Sequence, residues 1–360
     1  MSRATSATIH LGALRDNLRR SRELAQTAKV MAVVKADGYG HGLERVAGAL
    51  HEADAFGVAC IADGQRLRAA GISQRIVVLS GIDEAADIAE MHRLGLESAI
   101  HHASQIDWLQ HDRDPRPLRV WLKLDTGMHR LGFPPAQARQ AYARLRALPN
   151  VNPDIGLMTH LANSDVFGDA QTASQIESFD RLAGDLPGPH SLSNSAGLLG
   201  WPQARGHWAR PGGLLYGISV IEGSHASQFG FRPAMTLTSK LVAINRIARG
   251  ESIGYAATWT CPEDMDIGVV QIGYGDGYPR SATAGTPVLV NGRRASIVGR
   301  VSMDLITVDL RKHGDARIGD GVVLWGRQLP VEEVAACAGT IGYELVCGMT
   351  RRVRFLEDLD

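Results

Sequence analysis

Residues 31–42 read MAVVKADGYGHG. An apolar run ends on Lys35, and the loop behind it carries Gly38, Gly40 and Gly42. A run without polar alternation is the pattern of a strand buried on both faces, as in a parallel sheet covered by helices. Seven similar runs follow: AFGVAC (55–60), RIVVLS (75–80), LESAIHH (96–102), LRVWLKLD (118–125), IGLMTHL (155–161), HSLSNS (190–195) and a weaker one in HWARPGGLLYG (207–217). Amphipathic stretches lie between them, among them HGLERVAGALHEA, DEAADIAEMHRLG and PPAQARQAYARLRAL, the last with proline at a favoured helix entry. Eight strand–helix repeats predict a (β/α)8 barrel of the TIM type. A six-stranded doubly wound sheet is the alternative if the seventh and eighth runs are loops.

Past about residue 230 the helical period fades. AMTLTSKLVAINRI, MDIGVVQIGY, TPVLVNGRRASIVG, MDLITVDL and GVVLWG are rich in Val, Ile and Thr, and VNGR carries an Asn-Gly hairpin signal. The expected division is a barrel over residues 1–230 and a mostly antiparallel β domain over 231–360. The 360 residues are 44% apolar, enough for a sizeable core, and 38 basic side chains balance 38 acidic ones. That balance gives no sign of a nucleic-acid or membrane partner. Four dispersed cysteines form no CxxC pair, which argues against a disulfide framework or a metal knuckle. With no long apolar segment, the expectation is a soluble, reduced, cytoplasmic protein that holds no metal.

In such barrels chemistry gathers at the C-terminal strand ends. Those ends carry Lys35, His101, Lys123, Asp125, His160, Asn194, Ser195 and Arg210. Taken singly, any of them could merely meet water. A lysine packed against Val33 and Val34 would have its charged form disfavoured, and a neutral amine can form an imine with an aldehyde. The competing reading is a lysine whose stem packs while its head reaches solvent. NSAG (194–197) and RPGG (210–213) are two anion-capable turns behind strands seven and eight, the usual phosphate region of these barrels. An imine-forming lysine beside a phosphate cradle points to pyridoxal 5'-phosphate.

The ordered motifs AVVKADGYGHG, LKLDTGMHRLGF, THLANSD, SNSAG, RPGGLLYG, IGYAATW, IGYGDGYPR and VGRVSMD resemble those of the alanine racemases over almost the whole chain. The resemblance implies interconversion of L- and D-alanine, serving peptidoglycan or catabolism, by a homodimer with shared active sites. It casts Lys35 as the cofactor lysine and one catalytic base, and Tyr255 as the opposing base, reaching across from the other subunit. Tyr39, Asn194, Ser195, Gly212 and Gly213 would surround the phosphate, and Arg210 would face the pyridine nitrogen. His160 would sit beside the cofactor in a network supporting Arg210 and Tyr255. Arg130 and the Met303 N–H would receive the substrate carboxylate, with Tyr274 at the entrance and Asp304 in support. Lys123 corresponds to a lysine carbamylated in many members, where the carbamate holds the substrate arginine; the alternative is a plain Lys123 paired with Asp125.

One departure is Arg351, where some members carry tyrosine, which loosens the expectation of strict alanine preference towards serine as well. A barrel-type amino-acid decarboxylase is the nearest rival. Those enzymes place an acidic residue at the ring nitrogen, so Arg210 speaks against them, as does Tyr255. The RRVRF run (351–355) resembles a basic patch but is short in a neutral chain.

Overall fold

The computed structural model describes residues 4–360. They form two compact units, one of Arg15–Leu215 with Val220–Glu222, the other of the residues through Leu14, Tyr216–Ser219 and Gly223–Asp360.

The first unit contains all eight expected strands: Lys29–Val33, Ala55–Val58, Arg75–Val78, Glu97–Ile100, Val120–Lys123, Gly156–Met158, His190–Ser191 and Trp208–Ala209. Each pairs in parallel with the next as far as the seventh. The first also pairs with the eighth, Lys29 opposite Trp208 and Val30 opposite Ala209. Between the seventh and eighth, His207 N–H donates to His190 O (2.8 Å) and Arg210 N–H to Ser193 O (2.9 Å). These bonds close the ring, so the open doubly wound sheet is excluded. Helices Leu43–Ala49, Asp87–Leu94 and Pro135–Arg146 fall where amphipathic periodicity placed them, Pro135 in the first helical turn.

Inside the barrel, Met31, Ala55, Val77, Ala99, Trp121, Met158 and Trp208 pack as one cluster, drawn from seven of the eight strands. The two indoles meet edge to face at 5.8 Å between centroids. Room for the Trp121 ring comes from Gly156, where a Cβ would lie 2.3 Å from it. The Trp121 indole N–H donates to Glu97 (2.9 Å), which also pairs with Arg75.

In the second unit Met235–Ile247 is the organising strand. Its first half pairs with Gly321–Trp325 and its second with Met265–Val270, across an irregularity between Leu241 and Ala243. Ile306–Asp309, Arg293–Val298 and Pro287–Val290 complete a six-stranded antiparallel ring. Asn291 and Gly292, at φ 48° and 76°, make the two-residue hairpin expected of VNGR.

One expectation needs correction. Ser6–His10, assigned to the barrel half by the 1–230 division, is a strand of the second unit. It runs antiparallel to Met235–Ile247 and parallel to Arg354–Asp358. SATIH exposes apolar Ala7 and Ile9 on one face, and both are fully buried in that sheet. Among the described residues no helix is long and apolar enough to cross a membrane.

Candidate active site

Lys35 follows the first barrel strand, and the chain behind it winds the wrong way. Ala36, Asp37, Gly38, Tyr39 and Gly40 all have positive φ, at 53°, 55°, 61°, 51° and 73°. Left-handed helix costs an L-residue roughly 1–2 kcal/mol each, and glycine and Asp bear it best. Ala36 and Tyr39 therefore hold strained backbone beside Lys35, and strain of this kind clusters at active sites. The turn closes through Gly38 N–H to Val34 O and Gly40 N–H to Ala36 O, both 2.9 Å. It buries Tyr39 against the RPGG turn, where a Cβ on Gly212 would stand 2.6 Å from the Tyr39 hydroxyl. Glycine is required there by that close approach.

The two turns behind strands seven and eight are tied together. Ser195 Oγ accepts from Gly212 N–H at 2.8 Å, which leaves its own hydrogen to donate. Asn194, not Ser195, caps the helix Ser195–Gly200: its Oδ1 accepts from Gly197 N–H (2.8 Å) and from Ser164 (2.9 Å). Gly213 begins the following single helical turn, Gly213–Tyr216.

Arg210 is 5% exposed and, among the described residues, has no carboxylate partner. Nη1 donates to Ser191 O (2.7 Å) and Ser191 Oγ (2.6 Å), and Nη2 to Thr159 O and Leu192 O. Burial alone lowers its pKa to about 10, so it stays a cation at neutral pH. Nε makes no hydrogen bond among the described residues, leaving one directed donor on a clamped, buried guanidinium.

Sequence reasoning chose Lys35 as the desolvated lysine, but Lys35 is exposed in this chain. The desolvation belongs to Lys123, 9% exposed. Burial first, then the charges of Arg210, Arg130 and Lys35, push its pKa down to about 8. It is not paired with Asp125, whose carboxylate accepts from Gly127 N–H, His129 N–H and the His129 ring within its own loop. Burial and the same cations, Lys123 among them, hold half-buried His160 down at about 3, which makes it a neutral imidazole. No bond joins the His160 ring to Arg210; the neighbouring Thr159 carbonyl makes that contact. The support expected from His160 thus passes through its backbone neighbour. Lys35, Lys123, Arg130, His160 and Arg210 consequently share one strongly cationic end of the barrel.

In the second unit three motifs meet. Gly254, before Tyr255, lies against Arg300, since a Cβ on it would be 3.5 Å from the Arg300 N. Tyr274 N–H donates to Ser302 O (3.0 Å) and Gly275 N–H to Met303 O (2.9 Å). Tyr255, Met303 and Tyr274 are 71%, 52% and 39% exposed, an unusual amount of bare apolar surface for one cluster of loops. Asp304 pairs with Arg352, which also reaches buried Asp276 at 3.2 Å. The second arginine of RRVRF is thereby committed to structure. The carbonyls of Thr159 and Ser191 that hold Arg210 had no sequence signal, because backbone carbonyls carry none.

The features on the barrel unit fit an anionic aromatic aldehyde: an exposed lysine, a cationic end, an unused donor on Arg210, and a glycine-lined cradle. Comparison with known proteins agrees. Residues 9–220 match the family model described as alanine racemase, N-terminal domain, and residues 234–356 the one described as alanine racemase, C-terminal domain. The chain is 50% identical over 352 residues to an alanine racemase of Shewanella piezotolerans, covering 98% of each. It is 51% identical over 350 residues to one from Nitrosococcus oceani, covering 96% of this chain and 97% of that one. Among solved structures, the biosynthetic alanine racemase of Pseudomonas aeruginosa superimposes with a TM-score of 0.96 at 45% identity, over 99% of both chains.

Proposed function

The chain belongs to the alanine racemase family, and from that footing we propose how its own residues divide the work. It interconverts L- and D-alanine with pyridoxal phosphate, and dimers are typical of such enzymes. When bound, the cofactor supplies the electron sink that makes the α-hydrogen of alanine removable.

Racemisation requires a proton to leave one face of Cα and another to arrive on the opposite face. Lys35 Nζ serves one face, and the Tyr255 hydroxyl, contributed by a second copy of the chain, serves the other. A phenol serves as a base near neutral pH only where positive charge stabilises its phenolate. The cationic end of the barrel, built from Arg210, Arg130 and Lys123, offers such a place. Tyr39, Ser195, Asn194, Gly212 and Gly213 would hold the phosphate. Arg210, whose Nε–H makes no hydrogen bond among the described residues, would face the ring nitrogen and, as a permanent cation, would keep it unprotonated. Arg130 and the Met303 N–H bind the substrate carboxylate, Tyr274 narrows the entrance, and Asp304 fixes the Met303 loop through Arg352.

Lys123 carries a carbamate. With a pKa of about 8, an appreciable fraction of its amine is neutral at physiological pH. That form adds to carbon dioxide, making an N–C bond and releasing a proton. The product turns a cation among cations into an anion that can hold Arg130. Arg351 admits serine as a slower second substrate, since a pocket for a methyl rejects an added hydroxyl only weakly.

Two separate observations support the two-base reading: Lys35 is exposed behind the first barrel strand, and Tyr255 is 71% exposed in the second unit. Hydrogen exchange at Cα in deuterated water tests it. Tyr255→Phe should still exchange the hydrogen of one alanine enantiomer while losing inversion. Equal exchange of both enantiomers, or of neither, would sink the assignment.

A further inference from the structure

The left-handed turn is gripped from outside. Asp37, at its second position, presents Oδ1 to two donors: Leu43 N–H at 3.1 Å and Arg66 Nη2 at 2.7 Å. Arg66 belongs to the helix Ile61–Ala69 of the next strand–helix repeat. Its Nε and Nη2 also hold both oxygens of Glu44 at 2.8 Å, in the first turn of helix Leu43–Ala49. One guanidinium thus spans two carboxylates and joins the turn to two helices. Only a planar fork with several donors can do this; an ammonium supplies a point charge. Gly42 N–H to Asp37 O (2.9 Å) and buried His41 Nδ1–H to Tyr39 O (2.7 Å) lace the far side of the turn.

Lys35 and Tyr39 flank this clamp. We propose that Arg66, acting through Asp37, is a positioning residue of the reaction. It keeps residues 36–40 wound left-handed and thereby sets Lys35 Nζ and the Tyr39 hydroxyl for the cofactor, although it touches no reacting atom. The proposal rests on the reading that Lys35 holds the cofactor and Tyr39 its phosphate. Asp37 and Arg66 are each about half exposed (side chains 53% and 44%). Removing their bond therefore leaves no buried polar orphan, and its effect falls on the turn rather than on the fold.

The test uses the holoenzyme in Arg66→Met, Arg66→Lys, Asp37→Ala and the Arg66→Met/Asp37→Ala pair. Three quantities are read: the rate of cofactor loss on dilution, followed by the absorbance of the lysine-bound cofactor; amide exchange across residues 36–42; and thermal midpoint. Exposed ion pairs are worth up to about 1 kcal/mol, so cofactor loss should quicken roughly three- to fivefold in Arg66→Met. Exchange in 36–42 should rise with it, while the midpoint moves by no more than about 2 °C. Arg66→Lys should recover part of the loss, and the double variant should be no worse than the poorer single one. Unchanged cofactor loss and exchange in Arg66→Met, or strictly additive effects in the pair, would overturn the proposal. If Arg66→Met does not fold, Glu44→Gln, which only weakens the grip, decides by the same readouts. A cofactor band that survives Lys35→Ala would instead overturn the reading of Lys35 itself.

Discussion

Lys123 shows how neighbours give a residue its chemistry. An isolated lysine stays charged to a pKa near 10.4, but burial among three cations brings this one to about 8. The unfolded chain then binds more protons between those values. Unmodified protein should therefore gain stability as pH rises from about 8 to 10.5 and carry the full penalty below 8. That penalty is on the order of 3 kcal/mol for a shift this size. At pH 7, Lys123→Met should raise the unfolding free energy by up to that amount if the lysine is bare, and lower it if a carbamate bridges to Arg130. Denaturant titration at pH 7, paired with intact-mass measurement, checks both. Arg210 is the complementary case, a buried cation satisfied by carbonyls and a hydroxyl instead of a counter-charge. A carboxylate there would let the ring nitrogen keep a proton and deepen the electron sink. Arg210→Glu is accordingly expected to raise pyruvate formed per alanine inverted, a ratio that does not depend on how much of the variant folds. A ratio equal to that of the unaltered enzyme would refute this role.

Strands and turns differ in how openly they announce themselves. The barrel strands were legible because burial on both faces leaves continuous apolar runs, and RIVVLS and LRVWLKLD needed no partner to be read. The eighth was faint for a physical reason: only Trp208–Ala209 is strand, and ring closure rests on bonds from His207 and Arg210 just outside it. SATIH was missed because its partners lie more than 200 residues away, so no local period marks which sheet it joins. The turn after Lys35 was read as a loop for close approach, but its hand was hidden, since Ala36 is not a residue that advertises positive φ. The cationic end was half legible. Each strand tip could be named, but that Lys35 and Arg210 depress the protonation of Lys123 and His160 depends on barrel closure. A strand element also supplies a sharp prediction. Gly156→Ala drives a methyl into the Trp121 ring, and overpacking of this kind costs about 1–3 kcal/mol. The thermal midpoint should fall, with Trp121→Phe in the same chain recovering part of the loss; an unshifted midpoint would mean the strand can move aside cheaply.

At the scale of the whole molecule, the lysine and the tyrosine belong to different units, and the proposal joins them across two copies of the chain. A two-fold dimer makes both sites equivalent and leaves each subunit incomplete alone. Mixing Lys35→Ala with Tyr255→Phe protein should restore activity, because one site in each mixed dimer then has both residues intact. No recovery, with heterodimers shown to form by native mass spectrometry, would rule out the shared site. The placement of Ser6–His10 bears on something else, the order in which the protein is made. This strand leaves the ribosome long before its neighbours Met235–Ile247 and Arg354–Asp358. At roughly 5–20 residues per second the wait for the last of them is about 20–70 s. The intervening stretch, Arg15–Leu215, carries all eight barrel strands and can fold in that interval. The nascent chain must meanwhile keep SATIH unpaired, and its shortness and its Ser, Thr and His make it a poor template for stray β-pairing.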